Sequence, residues 1–284
     1  MKIGVGLPNQ VRDVDPTVIP EWARLAEEAG FSTLGSVGRI AYPGLMDTVA
    51  LAGAAAVTER IGLISNVMLT GVWPPALIAK EVAGIDGMSG GRLTLGIGIG
   101  GHEDDFVAEG AGPKGLGKRM DRDLEVYRSV WAGEPVGGGT NPAVPPGTRQ
   151  VPMLFGGGAP AAFARMAKWG EGYIGPSLPA AMIGDLFDAA RAAWRDAGRE
   201  GGPRLVAIAY FALGDAERGR NSVADYYANL GEQGTALLTS GVRGTAAEVR
   251  EAVRAFADLG ADELVFNPTS DDVKEVARLA EIVL

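Results

Sequence analysis

The sequence predicts an α/β fold of one domain, a (β/α)8 TIM barrel over residues 1–284 in which eight parallel strands alternate with helices. Two observations carry this prediction. Short apolar runs of strand length alternate with helix-period segments from one end to the other, the pattern of a parallel sheet. Eight such strand runs can be counted, more than a doubly wound sheet usually holds, and no linker or internal repeat divides them. With 46% hydrophobic residues, the chain can bury one large core.

Residues 3–7 read as the first strand, and residues 18–29 place Trp22, Leu25, Ala26 and Ala29 on one helical face before Gly30. Residues 33–37 form the second strand, and Asp47 caps a helix running to about Thr58. A β-rich third run spans 61–69, and Pro74 and Pro75 open a helix over 76–88. The fourth strand, residues 93–101, reads LTLGIGIGG, so one of its faces carries little side-chain volume and lets something lie close. A long loop from His102 to Lys118 follows, then a helix over 119–131 with Met120, Leu124, Tyr127 and Trp131 on one stripe. Residues 133–150, rich in Gly and Pro, form a short insertion before strand five.

Residues 151–174, VPMLFGGGAPAAFARMAKWGEGYI, read as strand, glycine turn, helix, strand. Pro160 suits the first helical position, where a missing N–H costs nothing. A glycine turn feeding a helix start leaves N–H groups directed outward with the positive end of the dipole behind them, which suits a phosphate. The spacing is neither a Walker loop nor G-x-G-x-x-G, and a plain strand-to-helix turn reads equally well. A striped helix over 180–197 follows, then the seventh strand at 205–213 and helices around 222–230 and 246–259. The eighth strand at 263–267 and a last helix at 272–284 complete the barrel.

Without cysteine the chain has no disulfide, thiolate nucleophile or Cys-based zinc site. A net charge of −9 with no basic run argues against nucleic acid, and no apolar run is long enough to span a membrane. The N-terminus lacks a long apolar leader, so a cytoplasmic location is expected. The single histidine, His102, excludes a multi-histidine metal site, and no G-x-S-x-G elbow is present.

In such a barrel the chemistry sits at the C-terminal ends of the strands. That places Asn9, Gln10, Arg39, Tyr42, Asn66, Met68, residues 100–103, residues 156–158, Ser177, Tyr210 and Asn267 at the mouth. The set is poor in acid/base groups and rich in glycine, amides and apolar side chains, which suits a flat ring better than a metal. His102 reads as a proton donor, an orienter of cofactor or substrate, or a loop histidine in water. Arg39 could bind an anion or a ring carbonyl. Glu103, Asp104 and Asp105 read as a helix cap or a solvated run.

The sequence resembles the luciferase-like monooxygenase family of flavin- and deazaflavin-dependent barrel enzymes over nearly its whole length. The resemblance rests on AEEAGFSTL (26–34), on the run from TERIGL to AKEVAGIDGMSGGRLTLGIGIGG (58–101), on LFGGGAPAAFARMAKWGEGYI (154–174) and on GTAAEVREAVRAFADLGADELVF (244–266). It implies a ring bound over the ends of strands three and four, near Asn66, Val67, Gly100 and Gly101. The cofactor phosphate would lie at Gly156, Gly157 and Gly158, with Ala159 where a hydroxyl often assists. The implied cofactor is reduced FMN from a separate flavin reductase, or coenzyme F420, whose acidic tail Lys114, Lys118 and Arg119 could meet. The substrate would be a small organic molecule, with Arg39 and His102 as the catalytic candidates, and a homodimer is expected. The family's frequent Asp-His pair falls on Gly38 and Arg39, and the acidic residue of its sugar-phosphate dehydrogenases falls on Gly101. These departures weaken the sugar-phosphate reading and leave open a binding protein without turnover. The brevity of the segment before strand five, residues 135–150, implies a substrate pocket that is open or completed by a partner subunit.

Overall fold

The computed structural model describes residues 1–284 except Ala111 and Pro113. The chain runs β1 (Lys2–Gly6), α1 (Val18–Ala29), β2 (Thr33–Ser36), α2 (Asp47–Val57), β3 (Gly62–Ser65), β4 (Met68–Leu69), α3 (Pro75–Met88), β5 (Leu93–Gly98), α4 (Glu103–Ala108) and α5 (Leu116–Trp131). It continues through β6 (Met153–Phe155), α6 (Pro160–Trp169), β7 (Gly172–Ile174), α7 (Ala180–Asp196), β8 (Arg204–Phe211), α8 (Ala216–Tyr226), α9 (Gly231–Ser240), α10 (Ala246–Asp258), β9 (Glu263–Pro268) and α11 (Lys274–Val283). All strand pairings are parallel, in the order β3-β2-β1-β9-β8-β7-β6-β5-β4. Pairing of β3 with β5, Leu63 against Leu93 and Ile64 against Thr94, closes the ring. β3 and β4 are two parts of one stave, interrupted at Asn66 and Val67, so the barrel has the expected eight staves.

The core has two layers because strand residues alternate between the lumen and the helices. Ile64, Leu154, Ile174, Val206, Ile208 and Val265 form a lumen cluster, and a much larger cluster that includes Trp22, Leu34, Phe155, Phe187 and Phe266 lies under the helices. At the N-terminal end, buried Glu263 accepts from Ser32 Oγ and Thr33 Oγ1 (2.5 Å each) and from Arg204 Nη2 (2.6 Å), pinning β2, β8 and β9 together.

The structure differs from the sequence reading at four helices. The loop expected from His102 to Lys118 contains α4, and α5 begins at Leu116. α8 starts six residues before the expected Ser222, and α9 was not anticipated. Both missed helices carry weak apolar signals: α4 opens with three acidic residues, and α9 buries only Leu238. The short insertion, residues 133–150, joins the end of α5 to the start of β6, so it lies at the N-terminal end of the barrel. Arg149 anchors it there to Asp86 Oδ2 (2.7 Å) and to the Leu93 carbonyl (3.0 Å). The segment thus lies away from the mouth, and its brevity does not shape the cleft there. No helix of the described residues is long and apolar enough to cross a membrane.

Gly96 in β5 faces the third stave so closely that a Cβ would collide with the Ser65 carbonyl oxygen, whereas a Cβ at Gly101 would meet nothing within 4 Å. Gly96→Ala should cost on the order of 1–3 kcal/mol in denaturant unfolding, the usual size of an overpacking penalty, and Gly101→Ala should change stability by less than about 0.5 kcal/mol. Equal midpoints for the two variants would show that β5 can move away from the third stave.

Candidate active site

A cleft of about 410 Å³ opens at the C-terminal end of the barrel, where βα turns bring residues from five staves to one place. Its floor is the interruption of the third stave. The Asn66–Val67 peptide bond is cis, and the Asn66 N–H donates to the Ser36 carbonyl at 2.6 Å. Five glycines make room for this segment. Cβ atoms at Gly35, Gly38, Gly96, Gly98 and Gly156 would press on Asn66 Nδ2, the Val67 and Ser65 carbonyls and the two Val67 methyls. The glycine alternation of β5 thus admits the neighbouring backbone, and Val67 forms the surface on which a ligand would lie. Asn66 Nδ2 donates to Asn267 Oδ1 (3.2 Å), while Asn66 Oδ1 is buried with no partner among the described residues. An acceptor left in that state has a strong preference for a donor, and this one borders the cleft.

The turn after β6 forms one end of the cleft. Gly157 adopts φ +109°, a conformation that disfavours any side chain, and Ala159 caps α6 without a side-chain bond. Pro160 has no N–H and the Ala162 N–H donates to the Ala159 carbonyl (2.8 Å), so the N–H groups without a partner among the described residues are those of Gly157, Gly158, Ala159 and Ala161. One turn further on, Arg165 also lines the cleft. Its Nε donates to Asp121 Oδ1 (2.6 Å) and its Nη2 to the Gly117 carbonyl (3.0 Å), which fixes the guanidinium with one nitrogen uncommitted among the described residues. Arg165 is the one charged residue of the lining. Sequence reasoning missed it, although it is the first arginine after the glycine turn. Gly156, Gly157, Gly158 and Ala159 are in the lining, as are Asn66, Val67 and Gly100; Gly101 is exposed and outside it.

Arg39 and His102 lie together on the rim, outside the lining. The Arg39 guanidinium pairs with Asp105 Oδ2 (2.7 Å) and Asp104 Oδ2 (2.9 Å) and stacks on the rings of Tyr42 and Tyr226. Asp105, fully buried, also accepts from the N–H groups of Ile40 (2.8 Å) and Ala41 (2.7 Å). The acidic run is therefore not simply solvated: Asp105 is the inner half of a buried ion pair. His102 precedes α4 and packs against Tyr226 and Tyr227, with ring centroids 5.3 and 5.7 Å apart. Burial, and then the Arg39 charge, push its pKa below the usual histidine value, outweighing Asp105 and Asp104 and keeping the imidazole neutral at pH 7. Tyr227, absent from the sequence-derived candidates because it was placed inside a continuous helix, lines the cleft with Ser177. Lys114 and Lys118 are exposed and outside the lining, and Arg119 is engaged by the Trp73 carbonyl (2.8 Å) and Asp123. Among the described residues no cluster of three or more acidic, Cys or His side chains is placed to hold a metal.

The sequence matches the luciferase-like monooxygenase family over residues 1–237. An uncharacterised protein of Mycobacterium tuberculosis is 31% identical over 246 residues, covering 73% of this chain and 83% of that protein. The crystal structure of monooxygenase RslO1 from Streptomyces bottropensis superposes with a TM-score of 0.78 at 25% identity, covering 99% of this chain and 97% of that one. An F420-dependent secondary alcohol dehydrogenase, solved with an F420–acetone adduct, shares the fold with a TM-score of 0.80 at 16% identity, covering 100% and 98%.

Asp47, at the start of α2, is buried beside this floor: the Cβ that Gly38 lacks would lie 2.8 Å from Asp47 Oδ2 and 3.0 Å from the Val67 carbonyl. Oδ1 accepts from the Thr48 N–H (2.9 Å), and Oδ2 has no partner among the described residues. Burial raises its pKa to about 6. The folded state thus prefers the protonated acid, and stability that is present below pH about 4 is lost as the pH rises through about 6. Asp47→Asn keeps the acceptor for Thr48 and removes the charge. Its denaturation free energy relative to wild type should rise by up to about 3 kcal/mol between pH 4 and pH 8. A constant difference across that range would show that Asp47 ionises freely in the fold.

Proposed function

The chain belongs to the luciferase-like monooxygenase family, and from that premise we propose that it is a flavin-dependent monooxygenase that takes reduced FMN from a separate reductase and acts on a small organic substrate. The observation that carries this reading is the lone cation of the cleft, Arg165, set beside a glycine turn and the open end of α6. One guanidinium with several N–H groups is a seat for one terminal phosphate. The remaining lining is largely apolar and glycine-rich, which suits a flat ring, and the unpartnered Asn66 Oδ1 meets the ring's need for an acceptor. When bound, the reduced flavin supplies the electrons with which dioxygen is activated. The apolar walls exclude water from that exchange. Arg39 and His102 act in this reading as positioning residues: the first ties the rim loops together, and the second supports the ring of Tyr227.

Coenzyme F420 is the alternative cofactor. Its long acidic tail would call for more cations than the cleft presents, since Lys114 and Lys118 stand outside and Arg119 is committed elsewhere, and this favours FMN. We place the activity in the cytoplasm and assign the homodimer contact to α2 and α3, whose outer faces leave Val49, Leu77 and Met88 between 46% and 57% exposed.

Anaerobic titration of the apo protein with reduced FMN, reduced riboflavin and F420 tests the cofactor. Reduced FMN should bind at least about tenfold more tightly than reduced riboflavin, which lacks the phosphate, a difference of ~1.4 kcal/mol. Arg165→Gln should remove that preference, and Gly157→Glu should abolish FMN binding with the fold retained. Binding of F420 alone would redirect the reading to deazaflavin hydride transfer, and binding of none would sink it. For the assembly, sedimentation should give a dimer for wild type and a monomer for Val49→Asp combined with Leu77→Asp; a wild-type monomer would reject the contact.

A further inference from the structure

The wall of the cleft beside β7 and β8 has a chemistry of its own. Tyr210, at the C-terminal end of β8, is buried, and its hydroxyl lies 3.1 Å from that of Tyr227. Tyr227 borders the cleft and Tyr210 does not. Burial pushes both phenols above their ordinary range, so both keep their hydrogens at physiological pH. Two hydroxyls joined by one hydrogen bond use one hydrogen and leave one over. With Tyr210 as donor, the remaining hydrogen belongs to Tyr227, on the side of the cleft. Ser177, which lines the cleft and neighbours both phenols, can accept or release that hydrogen by rotating its hydroxyl.

Tyr227 is also held in place before any ligand arrives. Its carbonyl accepts from Thr235 Oγ1 (2.9 Å), and its ring is flanked by Tyr226 at 4.7 Å and His102 at 5.7 Å between centroids. A fixed donor spends little conformational entropy on binding. Around it, Ile174, Pro176 and Ile208 supply apolar surface, and no charged side chain other than Arg165 lines the cleft. A carboxylate substrate would be buried without a counter-charge once Arg165 is committed to a phosphate, which is costly.

We propose that the Tyr227 hydroxyl, set by Tyr210, is the donor that seats the acceptor oxygen of a neutral, largely apolar substrate, with carbonyl compounds of the ketone type as the class it fits. This rests on the flavin reading above for the commitment of Arg165. Tyr227 touches the substrate; Tyr210 is a positioning residue that orients the Tyr227 hydrogen.

The probes are acetophenone, its isostere α-methylstyrene, in which C=CH2 replaces C=O, and benzoate. Dissociation constants are measured by equilibrium dialysis on wild type, Tyr227→Phe and Tyr210→Phe, each with oxidised FMN and without it. The ratio of the acetophenone to the α-methylstyrene constant, compared between variants, cancels the different hydrophobicity of the two probes. Tyr227→Phe should shift that ratio about tenfold against the ketone, and the α-methylstyrene constant reports any general loss of the site. Tyr210→Phe should shift it about threefold in the same direction, and benzoate should bind more weakly than acetophenone to the FMN-loaded protein. An unchanged ratio in Tyr227→Phe, or benzoate as the tighter ligand with FMN present, overturns the proposal. Failure of FMN to bind wild type overturns the cofactor reading instead, and the ratio in the FMN-free protein still decides the role of Tyr227.

Discussion

Residues Ser65, Asn66 and Val67 occupy space that neighbouring backbones leave free only by lacking side chains, and the rest of the mouth is arranged around that accommodation. Gly35, Gly38, Gly96, Gly98 and Gly156 belong to the second, fourth and fifth staves or the turns that follow them. Each yields to the same short segment of the third. The barrel interior is close-packed, so a segment that departs from the strand path can be admitted only where its neighbours carry no Cβ. The departure sets Val67 and Asn66 under the cleft. The turn at Gly156 brings the glycine loop before α6 against the same valine.

Charge is used sparingly and in two distinct ways. Arg165, held by Asp121 and Gly117, keeps part of its donor set toward the cleft. Arg39 has no such surplus, because Asp104, Asp105 and two tyrosine faces surround it. Both are arginines at the barrel mouth, and only their partners separate a ligand-facing cation from a structural one. A buried pair such as Arg39–Asp105 adds little net stability over an apolar replacement, but removal of one member leaves an uncompensated charge, so the two positions depend on each other.

The sequence made the barrel legible because its evidence is repetitive: eight apolar runs, helix-period segments and glycine or proline at their ends all agree. The glycine turn at 156–158 was legible as a turn that opens a helix for the same reason, since a turn and a helix start are local features. What escaped were side chains whose role depends on distant partners. Asp105 looked solvated within a run of acids, and its burial depends on Arg39, 66 positions earlier. Arg165 is one of many helix arginines until α5 fixes it, and Tyr227 becomes a wall residue only because α8 ends at Tyr226 and α9 turns away. α9 itself was hidden by a sequence with little apolar periodicity and one buried residue.

The Arg39 guanidinium has a consequence for how this barrel can be altered. It joins the loop after β2, the first turn of α4 and the end of α8, while Tyr42 Oη reaches Asp225 Oδ2 at 2.8 Å across the same gap. Loops of such barrels are commonly treated as interchangeable modules. Here three of them share one fastener, so a loop grafted from another barrel would arrive without its mates. Residues 38–42, 103–105 and 225–227 form one inheritable unit, and replacing any one of them without the other two would leave the fastener incomplete.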